Sequence, residues 1–234
     1  MWVVGDSGSV YHSADAGDSW TKLEIPGPYR SDILHRVAVH STEDIWVVGD
    51  MDAGDTYPIM LHSTDGGKTW QRLNPLKDLN MTQTKLGHYL GIKIYGNSIW
   101  AIGGPGKFMI RSGDNGATWS EITHSAAYAD ANDLFLLSES EAYIVTDYNG
   151  IYHTKDSGKS WQEYTCVTGD WYLGIAILNT SNVWVTGSPG AGNANSSIVY
   201  SPDGGLTWQD QTPQFMKDKQ SISMYKIRFI TSTH

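Results

Sequence analysis

One eight-residue phrase recurs five times along the 234 residues: SADAGDSW from Ser13, STDGGKTW from Ser63, SGDNGATW from Ser112, TKDSGKSW from Thr154 and SPDGGLTW from Ser201. Its aspartates, Asp15, Asp65, Asp114, Asp156 and Asp203, lie 50, 49, 42 and 47 residues apart. A near-constant period of that length marks a chain built from stacked or radial repeats. The period suits a four-stranded blade.

Each position of the phrase has a local task. An Asp in a tight turn accepts hydrogen bonds from the N–H groups just ahead of it. The Gly two residues later takes up a backbone conformation that side chains resist, the hydroxyl residue closes the turn, and the Trp buries a large ring. The pattern resembles the Asp-box, or BNR repeat. The turn itself consumes the carboxylates, so the boxes are read as scaffold and not as catalytic or metal-binding groups.

Other columns repeat in step. Upstream of the boxes lie MWVVGD (Met1), IWVVGD (Ile45), IWAIGG (Ile99), AYIVTD (Ala142) and VWVTGS (Val183). Four of these are preceded by an apolar run: RVAVHS (Arg36), GIKIYG (Gly91), DLFLLS (Asp133) and GIAILN (Gly174). Short β-rich runs between turn signals, with no helical period, predict an all-β chain. Each repeat reads as strand A (the apolar run), strand B (the W-x-V-G-D run), strand C leading into the box and a short strand D after the box Trp. The expectation is one domain over 1–234, a five-bladed β-propeller of four-stranded antiparallel blades. The chain opens on a strand B and ends on KIRFITSTH, which reads as a strand A. The C-terminal strand is therefore expected to enter the first blade and close it, removing exposed edges. The other reading is an excerpt of a larger propeller.

The net charge of −9 argues against nucleic acid and anionic membranes as partners. No apolar run approaches membrane-spanning length. The first residues already read as a strand, so no signal peptide is seen there. Cys166 is alone and forms no internal disulfide. Low charge and abundant Gly and Trp, with the family resemblance, point to a secreted, extracellular or periplasmic setting. Sequons occur at Asn80, Asn179 and Asn195. The expected state is a monomer or a module of a larger protein.

Of ten tryptophans, five close the boxes (Trp20, Trp70, Trp119, Trp161 and Trp208) and four sit at one place in strand B (Trp2, Trp46, Trp100 and Trp184), where Tyr143 stands in the remaining repeat. Trp171, in TGDWYLG, is the remainder. The Asp-box resemblance implies a ligand face built from the D–A and B–C connections, on the side away from the boxes. That side collects the expected ligand-binding residues Tyr29, Arg30, His88, Tyr89, Tyr128, Tyr148, Asp170, Trp171, Tyr172 and Tyr225. Exposed aromatics with carboxylate partners suit a glycan or a protein hot spot. Asp6, Asp50 and Asp147, at the end of strand B, are metal candidates only in the sense that hard cations want several oxygens; the plainer reading is a turn former after Gly. Lys93 and Arg228 interrupt strand A and are expected to face a channel or to pair with one of these three Asp residues.

Sialidases share the Asp-box, but they use three arginines and a Tyr–Glu pair. This chain has five arginines, two of them beside boxes, and its six glutamates fall at strand D or A–B turn positions. The tandem Asp-box endoglucanase/xyloglucanase family implies paired Asp residues as acid and base, for which Asp32, Asp130, Asp133 and Asp170 are the candidates; that family needs two seven-bladed domains. The pattern W-x-V-G-D-x-G…D-x-G-x-[Ser/Thr]-W, matched by MWVVGDSGSVYHSADAGDSW, resembles the photosystem II assembly and stability factor family, whose members have seven blades and an arginine patch. No cofactor motif is found. Two functions follow: a non-enzymatic recognition propeller binding glycan or protein opposite the boxes, or a glycoside hydrolase using paired Asp residues.

Overall fold

The computed structural model describes residues 1–25, 33–50, 57–81, 87–104, 108–123, 130–147, 150–164, 166, 171–188, 198–217 and 223–229. They form two compact units, Met1–Ile122 and Thr123–His234.

The first unit holds three antiparallel sheets. The first consists of β1 (Trp2–Gly5), β2 (Ser9–His12) and β3 (Thr21–Leu23). The second consists of β4 (Leu34–Val39), β5 (Ile45–Gly49), β6 (Met60–Ser63) and β7 (Gln71–Leu73). The third consists of β8 (His88–Tyr95), β9 (Ser98–Gly104), β10 (Phe108–Ser112) and β11 (Ser120–Glu121). The second unit holds two four-stranded sheets, β12 (Ala131–Leu136) to β15 (Gln162–Tyr164) through β13 (Ala142–Thr146) and β14 (Ile151–Thr154), then β16 (Trp171–Ile177), β17 (Val183–Ser188), β18 (Ile198–Ser201) and β19 (Gln209–Asp210). Every sheet is a simple meander in chain order, as strands joined by short turns require. Strands β5 and β9 are buried along their whole length, which explains why strand B reads as a nearly continuous apolar run. Two single helical turns, α1 (Pro75–Asp78) and α2 (Gln214–Lys217), follow a strand D and were not anticipated; Pro75 presets the first turn of α1.

The boxes fasten one sheet to the next. In the first unit Trp70 meets Trp2 edge-on at 6.4 Å, and Trp119 meets Trp46 in the same manner at 6.1 Å. Two box glycines of this unit lie under the preceding strand-B ring: a Cβ at Gly67 would stand 2.7 Å from Trp2, and one at Gly116 2.3 Å from Trp46. In the second unit the Tyr143 hydroxyl donates to the Gly204 carbonyl at 2.9 Å. Trp20 departs from the expectation of a buried box Trp, being 41% exposed. It belongs to the first sheet of its unit, so no sheet precedes it there to receive the ring.

Of the C-terminal strand expected to close the first blade, residues 230–234 lie outside the described residues. The first sheet has three strands, and residues 223–229 form no strand. Within the second unit those residues pack instead on the last sheet and on Asp133. Asp133 of strand A draws Lys226 and Arg228, so Arg228 pairs with an Asp outside the expected set of Asp6, Asp50 and Asp147.

Candidate functional site

Each of the four A strands carries a β-bulge near its start, which leaves His35, Leu90, Asn132 and Leu173 outside the ladder. A bulge re-aims a side chain, and two of these reach the Asp at the end of strand B. In the first unit His35 Nε2 lies 2.5 Å from Asp50 Oδ1, and His88 Nδ1 approaches the same oxygen at 3.7 Å from the next sheet. In the second unit the Asn132 amide donates to Asp147 Oδ1 at 2.8 Å and to the Tyr172 carbonyl at 2.9 Å. Burial pushes the Asp147 carboxyl above its ordinary range; the Asn132 hydrogen bond opposes this and the charge on Asp130 adds to it. These are bridges from one sheet to its neighbour, built at the end of the strands away from the boxes.

The predicted ligand residues divide. Trp171 opens β16 opposite Ser188 and is 39% exposed; Tyr225 is 67% exposed. His88 is partly exposed beside Asp50. Tyr172 and Tyr89 are corrected to core residues. Strands β16 and β8 start earlier than the expected loops, which turns both rings inward, Tyr89 packing edge-on against Phe108 at 5.0 Å. Burial raises the Tyr89 hydroxyl far above the usual range. Tyr29, Arg30, Asp32, Tyr128, Tyr148 and Asp170 lie outside the described residues.

Of the candidate acids, Asp133 is corrected to a structural ion pair. It is buried in β12, with Lys226 Nζ at 2.9 Å, Arg228 Nη1 at 3.9 Å and the Ile175 N–H donating at 3.2 Å. Asp130 accepts the Asp147 N–H on its backbone carbonyl at 3.2 Å. Asp50 and Asp147 are occupied by His35 and Asn132, while Asp6 is exposed in a turn with its carbonyl accepting the Ser9 N–H. Among the described residues no three His, Cys, Asp or Glu side chains are placed to hold a metal ion.

The opposite end is scaffold. In every box the Asp accepts from the later Ser/Thr hydroxyl and N–H and from the opening hydroxyl; in the second, Thr69 N donates at 2.9 Å, Thr69 Oγ1 at 2.6 Å and Ser63 Oγ at 2.9 Å. Hydrogen bonds from Thr69, Thr118 and Ser160 hold Asp65, Asp114 and Asp156 at about 2, and the same bonding lowers Asp15 and Asp203. All five box glycines take positive φ, from 83° to 104°.

A second column escaped the sequence reading. The residue just before each box, His12, His62, Arg111, His153 or Tyr200, lies against the strand-B aromatic ring. His62 stacks on Trp46 at 3.8 Å and His153 on Tyr143 at 3.9 Å. Asp44 then accepts from Trp46 Nε1 (2.8 Å), His62 Nε2 (2.8 Å) and Asn115 Nδ2 (3.1 Å), with His40 Nδ1 at 3.0 Å. Burial alone would raise the Asp44 carboxyl, but the hydrogen bonds outweigh it and the net shift is downward. The sequence signal was a ring or cation immediately before each box.

These sheets and boxes define an all-β protein of the Asp-box propeller class. Its fold is similar to that of an ancestral GH74 enzyme (TM-score 0.66, 20% identity, 89% of this chain and 29% of that one) and of YCF48 from Cyanidioschyzon merolae (TM-score 0.55, 20% identity, 99% and 86%). The family described as Photosynthesis system II assembly factor YCF48 matches residues 1–82 and 31–169, and the chain belongs to that family. It is also similar to the Photosystem II assembly lipoprotein Ycf48 of Synechococcus sp. (strain CC9902), 23% identical over an alignment of 227 residues, with 91% of this chain covered. The chain spans 60% of that relative's length.

Proposed function

We propose that this chain is a non-enzymatic recognition module that binds a protein partner through the bulged ends of the A strands and the ends of the B strands of its second unit, with Trp171 as the anchor. The carrying observation is the exposed Trp171 indole at the start of β16, held at the strand end away from the boxes. Membership of a family described by its role in assembling a protein complex supports a protein as the partner. Large aromatic anchors set in rigid surroundings dominate protein interfaces. The commitment of Asp133 to two cations weakens the hydrolase reading, which needs paired free carboxylates. The exposed indole suits the apolar face of a sugar ring as well, so a glycan is the second ligand class. The lipoprotein relative agrees with a site of action outside the cytoplasm.

The test is selection from a displayed library of extended peptides, with a polysaccharide panel in parallel. The wild-type chain should enrich peptides and Trp171→Ala should lose them, while Lys68→Ala, in an exposed box loop, should retain them. Enrichment indifferent to Trp171→Ala would remove the site, and selective polysaccharide binding would replace the ligand class.

A further inference from the structure

The last described segment of the chain, residues 223–229, lies across the second unit as an extended stretch without regular structure. It is held mainly by side chains. The Met224 N–H donates to the Gly187 carbonyl at 3.3 Å, and the Ser223 and Ser188 hydroxyls meet at 2.9 Å. Lys226 and Arg228, two apart and so on one side of an extended chain, both reach Asp133. Phe229 meets Trp184 edge-on at 4.9 Å, the type of contact that Trp70 makes with Trp2 and Trp119 with Trp46. The floor is cut to backbone thickness: a Cβ at Gly174 would stand 3.0 Å from both the Tyr225 carbonyl and Lys226 Cα. Beside it the Thr186 hydroxyl is buried without a hydrogen-bond partner.

Asp133 decides what this groove accepts. Its carboxylate is 3% exposed, and a buried charge deprived of its partner is strongly destabilising. The groove therefore calls for a cation whenever it is filled. A neutral or acidic strand leaves the Asp133 carboxylate without a countercharge. Of the present occupant, Tyr225 is 67% and Phe229 41% exposed, so neither ring is enclosed by the groove.

Resting on the recognition function proposed above, we infer that this groove is a binding site for an extended segment of a partner protein, carrying cationic side chains at two alternate positions followed by an aromatic, and that residues 223–229 are its built-in occupant. Partner and occupant compete for Asp133, Gly187 and Trp184. Because the occupant is tethered, it competes at an effective concentration on the order of millimolar, so a free peptide must be supplied at comparable concentration.

The test uses the full chain and the free peptide SMYKIRF, with SMYEIEF as the charge-reversed control. Hydrogen exchange of residues 223–229 should rise several-fold with the first peptide and stay unchanged with the second. In the full-length K226A/R228A variant the first peptide should bind directly, and adding Asp133→Asn should weaken that binding by at least about 30-fold. Equal exchange with both peptides, or none with either, overturns the inference; so does peptide binding to K226A/R228A that ignores Asp133→Asn. The exchange measurement stands alone if the variant does not fold. Trp171→Ala separates the two proposals: loss of partner binding with unchanged SMYKIRF binding leaves both standing, and failure of one readout leaves the other intact.

Discussion

Gly116→Ala and Gly17→Ala change the same box position in two sheets and should differ in cost. Both glycines sit at positive φ, 87° and 104°, so an Ala at either site suffers left-handed strain of about 1–2 kcal/mol. The surroundings differ. The new methyl at 116 would stand 2.3 Å from Trp46 Cη2 and 2.9 Å from Cζ2, whereas at 17 the nearest atom is Met1 Sδ at 3.7 Å, an ordinary contact. Trp46 cannot retreat, because it is fully buried, stacked on His62 and hydrogen-bonded to Asp44. Overpacking a filled core adds about 1–3 kcal/mol. Gly116→Ala should therefore cost about 2 kcal/mol more than Gly17→Ala. Urea unfolding followed by far-UV circular dichroism reads this as a lower midpoint with an unchanged slope. Equal losses for the two variants would refute the idea that the box glycines serve as seats for the preceding ring.

Asp44→Ala leaves the buried Trp46 N–H and His62 Nε2 without their acceptor and should destabilise by about 3 kcal/mol, with Asp44→Asn costing less because it keeps one carbonyl oxygen; the same urea assay checks both. Acid should weaken the boxes in a defined window. Asp65, Asp114 and Asp156 have folded values of about 2 against an ordinary 3.8, so their stabilisation is complete above about pH 4 and is lost as pH falls towards 2. The stability gap between wild type and Asp65→Asn, measured against pH, should close across that interval.

Most of the frame was legible because turn chemistry is local. The box hydroxyl, Asp, Gly and Trp act within eight residues, and strand B announces itself by burial on both faces. What the sequence obscured depends on where a strand begins and on its bulge. Tyr172 and Tyr89 looked like loop residues, yet each sits just ahead of a bulge in a strand that starts earlier than its apolar run suggests. Asp133 and Lys226 are far apart in sequence, so their ion pair leaves no local trace. The ring-before-box column is present in the sequence, but His and Arg are commonplace in exposed strands, so the residues alone do not mark it as a packing column.

The central claim is that the boxes build the frame and recognition occurs at the other end of the strands. The most direct measurement is the affinity of one selected peptide for wild type, Trp171→Ala and Lys68→Ala, with all three shown to have the same unfolding midpoint. An aromatic anchor of hot-spot strength predicts a loss of about 30-fold for Trp171→Ala and no change for Lys68→Ala. The reverse order, with the box-loop variant losing affinity and Trp171→Ala retaining it, would contradict the account.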